Sequence, residues 1–235
     1  MKVSLYILAV FCSFSMSTHA GVMPSQSRII YNSDDNDASI MLANTNNYPV
    51  IVQTWVDKGE GNPDVHEVPF ISIPPVFYLE PAGVKGIRIL YNKAELPKEK
   101  ESLFWFNIYE IPPERKNITP DNSVLVTMNT QIKLFYRPGN LKITPDMAIK
   151  KLTCNLNDKE SISCFNASPI HISVTDFRVL SSDGTSVKTI NTEYILNPFG
   201  KTLYHFQSRI IPFKVSIQYV DDFGNKSEHI LSLDK

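Results

Sequence analysis

The sequence has little cysteine or glycine, no long apolar run and no excess of either charge. It has 235 residues, with 3 Cys, 9 Gly and 16 Pro. No apolar run approaches the roughly 18 residues of a membrane-spanning helix, so we expect no membrane insertion. Lys and Arg total 23 against 24 Asp and Glu, which argues against a nucleic-acid partner. The apolar fraction of 43% excludes intrinsic disorder, and the length fits one large domain or two small ones.

Motifs for catalysis and for metal binding are also missing. There is no GxSxG, no HExxH and no phosphate-binding glycine loop. The histidines beyond the first twenty residues lie at no metal-ligand spacing from one another, and we expect each to be structural or exposed. They are His66, His171, His205 and His229. We therefore expect no enzyme, no metal and no cofactor.

The first twenty residues have the pattern of a secretory signal peptide. Lys2 supplies a positive charge, residues 3–14 are apolar except for two serines, and small residues lead up to Ala20. This pattern predicts cleavage after Ala20 and a mature chain that begins at Gly21.

Two cysteines, Cys154 and Cys164, belong to the mature chain, since Cys12 leaves with the leader. In an oxidising compartment such a pair favours a disulfide over two free thiols. Nine residues separate the two, so a CxxC redox motif is excluded. We expect a structural disulfide between neighbouring strands of the second half.

Short β-rich segments alternate with turns rich in proline and glycine, which is typical of β-sandwiches. The expected strands are 39–44, 49–56, 86–91, 102–109 and 124–136, then 152–156, 161–166, 170–177, 202–206 and 213–220. Residues 137–140 contain Pro138-Gly139 and indicate a linker to a second, smaller β domain. A short helix or turn is expected near 93–98.

The run 124–136 is much longer than an ordinary strand of five or six residues. Val124, Val126 and Met128 share one face of it. They could belong to the protein's own core. Alternatively, the strand overhangs its sheet and offers these side chains to a partner, since an unprotected edge is hazardous unless pairing is its purpose.

Two cations stand among apolar residues. Lys133 lies within the long run, and Arg28 precedes Ile29-Ile30-Tyr31. A cation in a strand usually faces water. Two cations that converged on one cleft would instead bind a carboxylate through charge-assisted hydrogen bonds.

Residues 96–112, Leu-Pro-Lys-Glu-Lys-Glu-Ser-Leu-Phe-Trp-Phe-Asn-Ile-Tyr-Glu-Ile-Pro, resemble the signature of the periplasmic pilus-assembly chaperones. Further similarity lies in Pro74-Pro75, in Leu-Glu-Pro at 79–81 and in Ile-Lys-Leu-Phe-Tyr-Arg-Pro at 132–138. Glu99 and Tyr78 depart from the usual pattern. The resemblance covers essentially the whole mature chain.

This resemblance implies an all-β protein with two immunoglobulin-like sandwiches set at an angle, as an L or boomerang. The first would span 21–138 and the second 139–235. The long run would be a donor strand that lends Val124, Val126 and Met128 to the groove of a pilin subunit lacking its final strand.

The resemblance also assigns roles to charged residues. Arg28 and Lys133 would anchor the C-terminal carboxylate of the bound subunit. The residues of an interdomain charge network that holds the hinge would be Glu101, Arg137 and Asp222. The segment between Pro113 and Val124 is short, as in the short-loop branch of the family.

The function implied is a non-enzymatic periplasmic chaperone. It would bind, fold and cap pilin subunits by donor-strand complementation and pass them to an outer-membrane usher. Self-association of the free protein stays open. The alternatives are a two-domain adhesin or pilus subunit, and a secreted hydrolase for which no nucleophile–base set is recognisable.

Overall fold

A computed structural model describes residues 21–64, 67–113, 127–190, 194–207 and 210–233. Strands dominate these ranges. The strands of the first half are β1 (Val22–Pro24), β2 (Arg28–Asn32), β3 (Ala38–Asn44), β4 (Val50–Asp57), β5 (Phe70–Ile73), β6 (Val76–Leu79), β7 (Val84–Tyr91), β8 (Ser102–Ile111) and β9 (Met128–Arg137).

The first half forms a sandwich of two sheets. One sheet has the order β1-β3-β7-β5, and the other has the order β2-β9-β8-β4-β6. Apolar residues alternate along the strands, so every second side chain points between the sheets. In β4, for example, Val50 and Val52 are buried while Ile51 is exposed. Val52, Phe106 and Leu134 from three neighbouring strands share this core.

The second half opens with the helix α1 (Pro145–Ala148) and a 3₁₀ turn (Ile149–Lys151). Pro145 suits the first turn of a helix, where its missing N–H has no intrahelical partner to lose. The strands that follow are β10 (Leu152–Asp158), β11 (Ser161–Asn166), β12 (Ile172–Ser181), β13 (Ser186–Lys188), β14 (Ile195–Leu196), β15 (Lys201–His205), β16 (Pro212–Val220) and β17 (Lys226–Ser232).

These strands build a second sandwich with a core of its own. One sheet is β10-β11-β15, and the other is β13-β12-β16-β17 with β14 beside β12. Phe177 and Tyr204 stack in the core at 4.0 Å between ring centroids. Cys154 and Cys164 are direct partners on β10 and β11 and form the expected disulfide, with their Cα atoms 4.1 Å apart.

The prediction of two β-sandwiches is confirmed, and all ten expected strands have a counterpart. Of the short helix or turn expected near 93–98, the helix is wrong. The Asn92 side chain accepts a hydrogen bond from the Ala94 N–H, Lys93 takes a φ of 64°, and Pro97 disfavours helix before it. The boundary after Pro138 stays a prediction, although Tyr136 packs on the first core and Leu141 on the second.

Candidate functional site

Arg28 and Lys133 lie side by side although they are far apart in sequence. β2 pairs with β9 in parallel, and in that register Arg28 and Lys133 are direct Cα partners. Side chains of directly paired residues project from the same face of a sheet. The topology therefore places two cations next to each other, which no local pattern specifies.

The second sandwich contacts both of these cations. Arg28 Nη1 donates to the Val220 carbonyl at 3.3 Å, and Lys133 Nζ donates to Ser173 Oγ at 3.2 Å. Ser173 and Val220 are themselves direct partners on β12 and β16. The cation pair of the first sandwich thus faces one residue pair of the second, and we call the junction formed by these four residues the cleft.

The electrostatics of this cleft favour an anion. Burial and the neighbouring Arg28 lower the pKa of Lys133 to about 8. Burial also lowers the pKa of Arg28, against the opposing effect of Asp222, Asp221 and Glu101. Arg28 Nε is buried without a hydrogen-bond partner among the described residues. A buried donor without a hydrogen-bond partner and two adjacent cations each cost free energy. A carboxylate that accepted hydrogen bonds from Arg28 and Lys133 would therefore be strongly stabilised.

The ammonium group of Lys133 also has an aromatic neighbour. Its Nζ stands 5.9 Å from the centroid of the Trp105 ring, and Trp105 is its direct partner on β8. A cation at this distance from an indole face is weakly attracted to it. The contact helps to keep the Lys133 side chain over the sheet.

Glu101, Arg137 and Asp222 meet at the junction of the two sandwiches. Arg137 Nε donates to Glu101 Oε1 at 2.9 Å, and its Nη1 and Nη2 donate to the two oxygens of Asp222 at 2.6 and 2.9 Å. Asp222 lies in the β16–β17 turn, so the guanidinium joins the two halves. Burial alone would lower the pKa of Arg137, but the two carboxylates outweigh it and raise that pKa.

Sequence reasoning missed the part played by His171. Glu101 Oε2 accepts the backbone N–H of His171 at 2.9 Å and lies 2.8 Å from its Nδ1. The Glu101 N–H in turn donates to the Pro169 carbonyl at 2.8 Å. His171 lies next to no charged residue in the sequence, so only the tertiary structure links it to Glu101.

Strand β9 is open on one edge over part of its length. β8 pairs with it from Met128 to Tyr136, but β2 pairs only from Lys133 onward. In the described part of the chain, residues 128–132 therefore have a strand on one side only. Met128 is 42% exposed and lies in the phase of the core residues Ile132 and Leu134, opposite to Lys133.

Two of the three expected donor residues, Val124 and Val126, lie outside the described residues, and so does the whole segment assigned to the short loop. Within the described ranges, no helix is long and apolar enough to cross a membrane. The same ranges contain no cluster of three or more His, Cys, Asp or Glu side chains that could hold a metal ion.

Two protein families match the chain in succession. Residues 21–142 match the family of pili and flagellar-assembly chaperones, PapD N-terminal domain. Residues 147–231 match the pili assembly chaperone PapD, C-terminal domain.

Individual relatives agree with this assignment. The probable fimbrial chaperone YadV of Escherichia coli K12 is 35% identical over 68% of this chain and 69% of its own length. The chaperone protein FocC of Escherichia coli is 29% identical over 95% of this chain and 97% of its own. The crystal structure of the YadV chaperone, 29% identical, covers 90% of this chain and 99% of its own with a TM-score of 0.77.

A complex of the Salmonella enterica SafA pilin with the SafB chaperone has the same fold. It aligns with a TM-score of 0.77 at 23% identity and covers 91% of this chain and 96% of its own. Both matched families are assembly chaperones, so the class of this protein is a non-enzymatic one. The chain belongs to the PapD-like family of pilus-assembly chaperones.

Proposed function

We propose that this chaperone captures pilin subunits in the periplasm, after its leader is removed at Ala20, by adding β9 to their incomplete fold. It caps each subunit and passes it to an outer-membrane usher. One observation carries the proposal. Lys133, which pairs with Arg28 of the neighbouring strand β2, lies on β9 together with the open edge at 128–132, so one extended peptide can meet both the cation pair and the edge.

The two features divide the work of recognition. The subunit's C-terminal carboxylate binds between Arg28 and Lys133, which fixes the position of the last residue of the peptide. From there the peptide pairs along β9 toward Met128, about 17 Å away at 3.3–3.4 Å per residue. A fixed starting point matters because a slip of one residue turns every side chain to the other face.

The energy of capture comes from apolar side chains as well as from backbone pairing. Met128 is exposed in the free protein. In the proposed complex it enters the groove of the subunit together with Val124 and Val126, which share its phase in the sequence. Each such side chain contributes about 1.5–3 kcal/mol when fully buried, before ordering costs are subtracted.

In this proposal, the network of Glu101, Arg137 and Asp222 holds the angle between the sandwiches and binds no client. Its support is geometric, because Arg137 bridges a buried carboxylate of one half and a turn of the other. The open edge of β9 is also the surface through which free copies would self-associate when no client is present.

The test is co-expression with candidate pilins in a bacterial periplasm, followed by pull-down and native mass measurement. The wild type should give a one-to-one complex. Lys133→Ala and Arg28→Ala should each abolish capture while the chaperone itself accumulates. Lys85→Ala and Arg88→Ala are matched controls, since both residues are exposed on β7 in the other sheet. Normal subunit yield in either cleft variant would overturn the mechanism.

A further inference from the structure

Glu110 is a buried carboxylate that the capture mechanism does not use. It lies on β8, only 6% exposed. Its Oε1 accepts the Asn46 Nδ2–H at 2.7 Å, and its Oε2 accepts the Val22 N–H at 2.9 Å. No lysine, arginine or histidine of the described ranges forms an ion pair with it. A buried carboxylate held by neutral donors alone is costly, so this position calls for a positive charge.

Gly21 is held beside this carboxylate. Its carbonyl accepts the N–H of Thr45 at 3.0 Å and the Thr45 hydroxyl at 2.7 Å. A Cβ at Gly21 would stand 2.6 Å from Glu110 Oε2 and would collide with the Met128 methyl group. A side chain at this position would require Glu110 or Met128 to move, because both approach the main chain closely. By standard geometry the Gly21 nitrogen lies within about 5 Å of Oε2.

We propose that Glu110 is the binding site for the α-ammonium group that leader removal creates at Gly21. The inference rests on the proposed cleavage after Ala20. An amide nitrogen at residue 21 carries one proton and no charge, whereas a free terminus carries three donors and a positive charge at neutral pH. Cleavage thus converts a neutral neighbour of Glu110 into its ion-pair partner.

The pairing has a consequence for the donor strand. Glu110 is the direct partner of Met128 on β9, and the Met128 methyl group occupies the space that a Cβ on Gly21 would fill. The ammonium–carboxylate pair therefore fixes β1, β8 and the start of β9 at one point. A precursor that keeps its leader lacks this pair, so cleavage also completes the support beneath the client-binding strand.

The experiment is a double-mutant cycle on the chain secreted through its own leader. Glu110→Gln removes the charge but keeps both hydrogen bonds, because the Asn46 amide can rotate to accept from the new Nε2. Insertion of one serine between Ala20 and Gly21 keeps a small residue after the cleavage site and moves the amine by about 3.8 Å. Glu95→Gln, at an exposed position, is the matched control.

Each single change should lower Tm by roughly 3–6 °C. The two together should lower it by no more than the larger single effect, and the Glu95 variant should match the wild type. Intact mass spectrometry first identifies the N-terminal residue of the mature chain. A chain that begins at another residue would overturn both the cleavage site and the pairing. A chain that begins at Gly21 with additive losses of Tm would overturn the pairing alone.

Discussion

Lys133 carries its charge in a place where burial and the adjacent Arg28 both oppose it. Within the described ranges, its ammonium group contacts two neutral partners, the Ser173 hydroxyl and the Trp105 ring. At the scale of single residues, the positive charge of the cleft supports the proposal that an anion binds there. A carboxylate bound between the two cations would offset the cost of keeping them together, in addition to the favourable effect of Asp222, Asp221 and Glu101 on Arg28.

Client capture should therefore weaken as the pH rises through about 8. Above its lowered pKa, Lys133 must take up a proton to bind the carboxylate, so we expect an affinity loss of about tenfold between pH ~7 and pH ~9. Titration calorimetry with a peptide copy of the subunit's C-terminal strand measures this loss of affinity. Lys133→Arg, which stays charged, should bind with little pH dependence.

The free chaperone should respond to pH in the opposite direction. Because the folded-state pKa of Lys133 lies below its ordinary 10.5, the unfolded chain holds more protons between about 8 and 10.5. This group then adds to folding stability as the pH rises through that window and contributes none below it. Parallel loss of client affinity and of stability would contradict this account.

At the scale of elements, β9 and the β10–β11 hairpin differ, because β9 has an open edge whereas β10 and β11 are covalently joined. β9 keeps a core face through Ile132 and Leu134 while its free edge is open at 128–132. β10 and β11 are instead locked to each other by the disulfide. The bridge lies in the sheet β10-β11-β15, whereas the cleft is contacted by β12 and β16 of the other sheet.

Removing the disulfide should cost stability but not recognition. For a loop of 10 residues, the loss of chain entropy in the unfolded state corresponds to about 3 kcal/mol. We expect the double variant Cys154→Ala, Cys164→Ala to lose about that much stability in urea unfolding. It should still capture pilin at low temperature. Dithiothreitol provides the control, since it should weaken the wild type and leave the double variant unchanged.

At the scale of the whole molecule, the contacts that join the two sandwiches are centred on Glu101 and Arg137. The side chain of Glu101 is 1% exposed and that of Arg137 is 10% exposed. Glu101 is bound from the first sandwich by Arg137 and from the second by His171. Asp222 completes the bridge from the β16–β17 turn. Glu101, Arg137, His171 and Asp222 thus form one connected set of polar contacts between the two halves.

Arg137→Ala should be severe and Asp222→Asn mild. The first leaves the buried Glu101 carboxylate without its cation, which costs about 3–5 kcal/mol. The second removes one charge from a side chain that is 21% exposed, and about 1–2 kcal/mol is expected. Urea unfolding measures both, and small-angle scattering should show a wider range of shapes for Arg137→Ala. If the two changes lowered stability equally, the loss in Arg137→Ala would not come from the unpaired Glu101 carboxylate.

The sequence alone determined the fold class, most strands and the pairing of Cys154 with Cys164. These follow from patterns visible in the sequence. They are the alternation of apolar and polar residues, the turn residues, and a leader that implies an oxidising compartment. It also drew attention to Arg28 and Lys133 as cations in apolar surroundings. What it could not determine was their adjacency, since the parallel pairing of β2 with β9 joins segments that no local pattern connects.

The tertiary structure likewise decided the contacts of His171 with Glu101 and of Glu110 with the chain at Val22. Each is a polar contact between residues distant in sequence, buried where two elements pack. Local propensity carries no information on such pairs, because hydrogen bonds of this kind are selected by the packing of whole strands. Periodicity predicted the elements of this protein, and packing decided which charges meet.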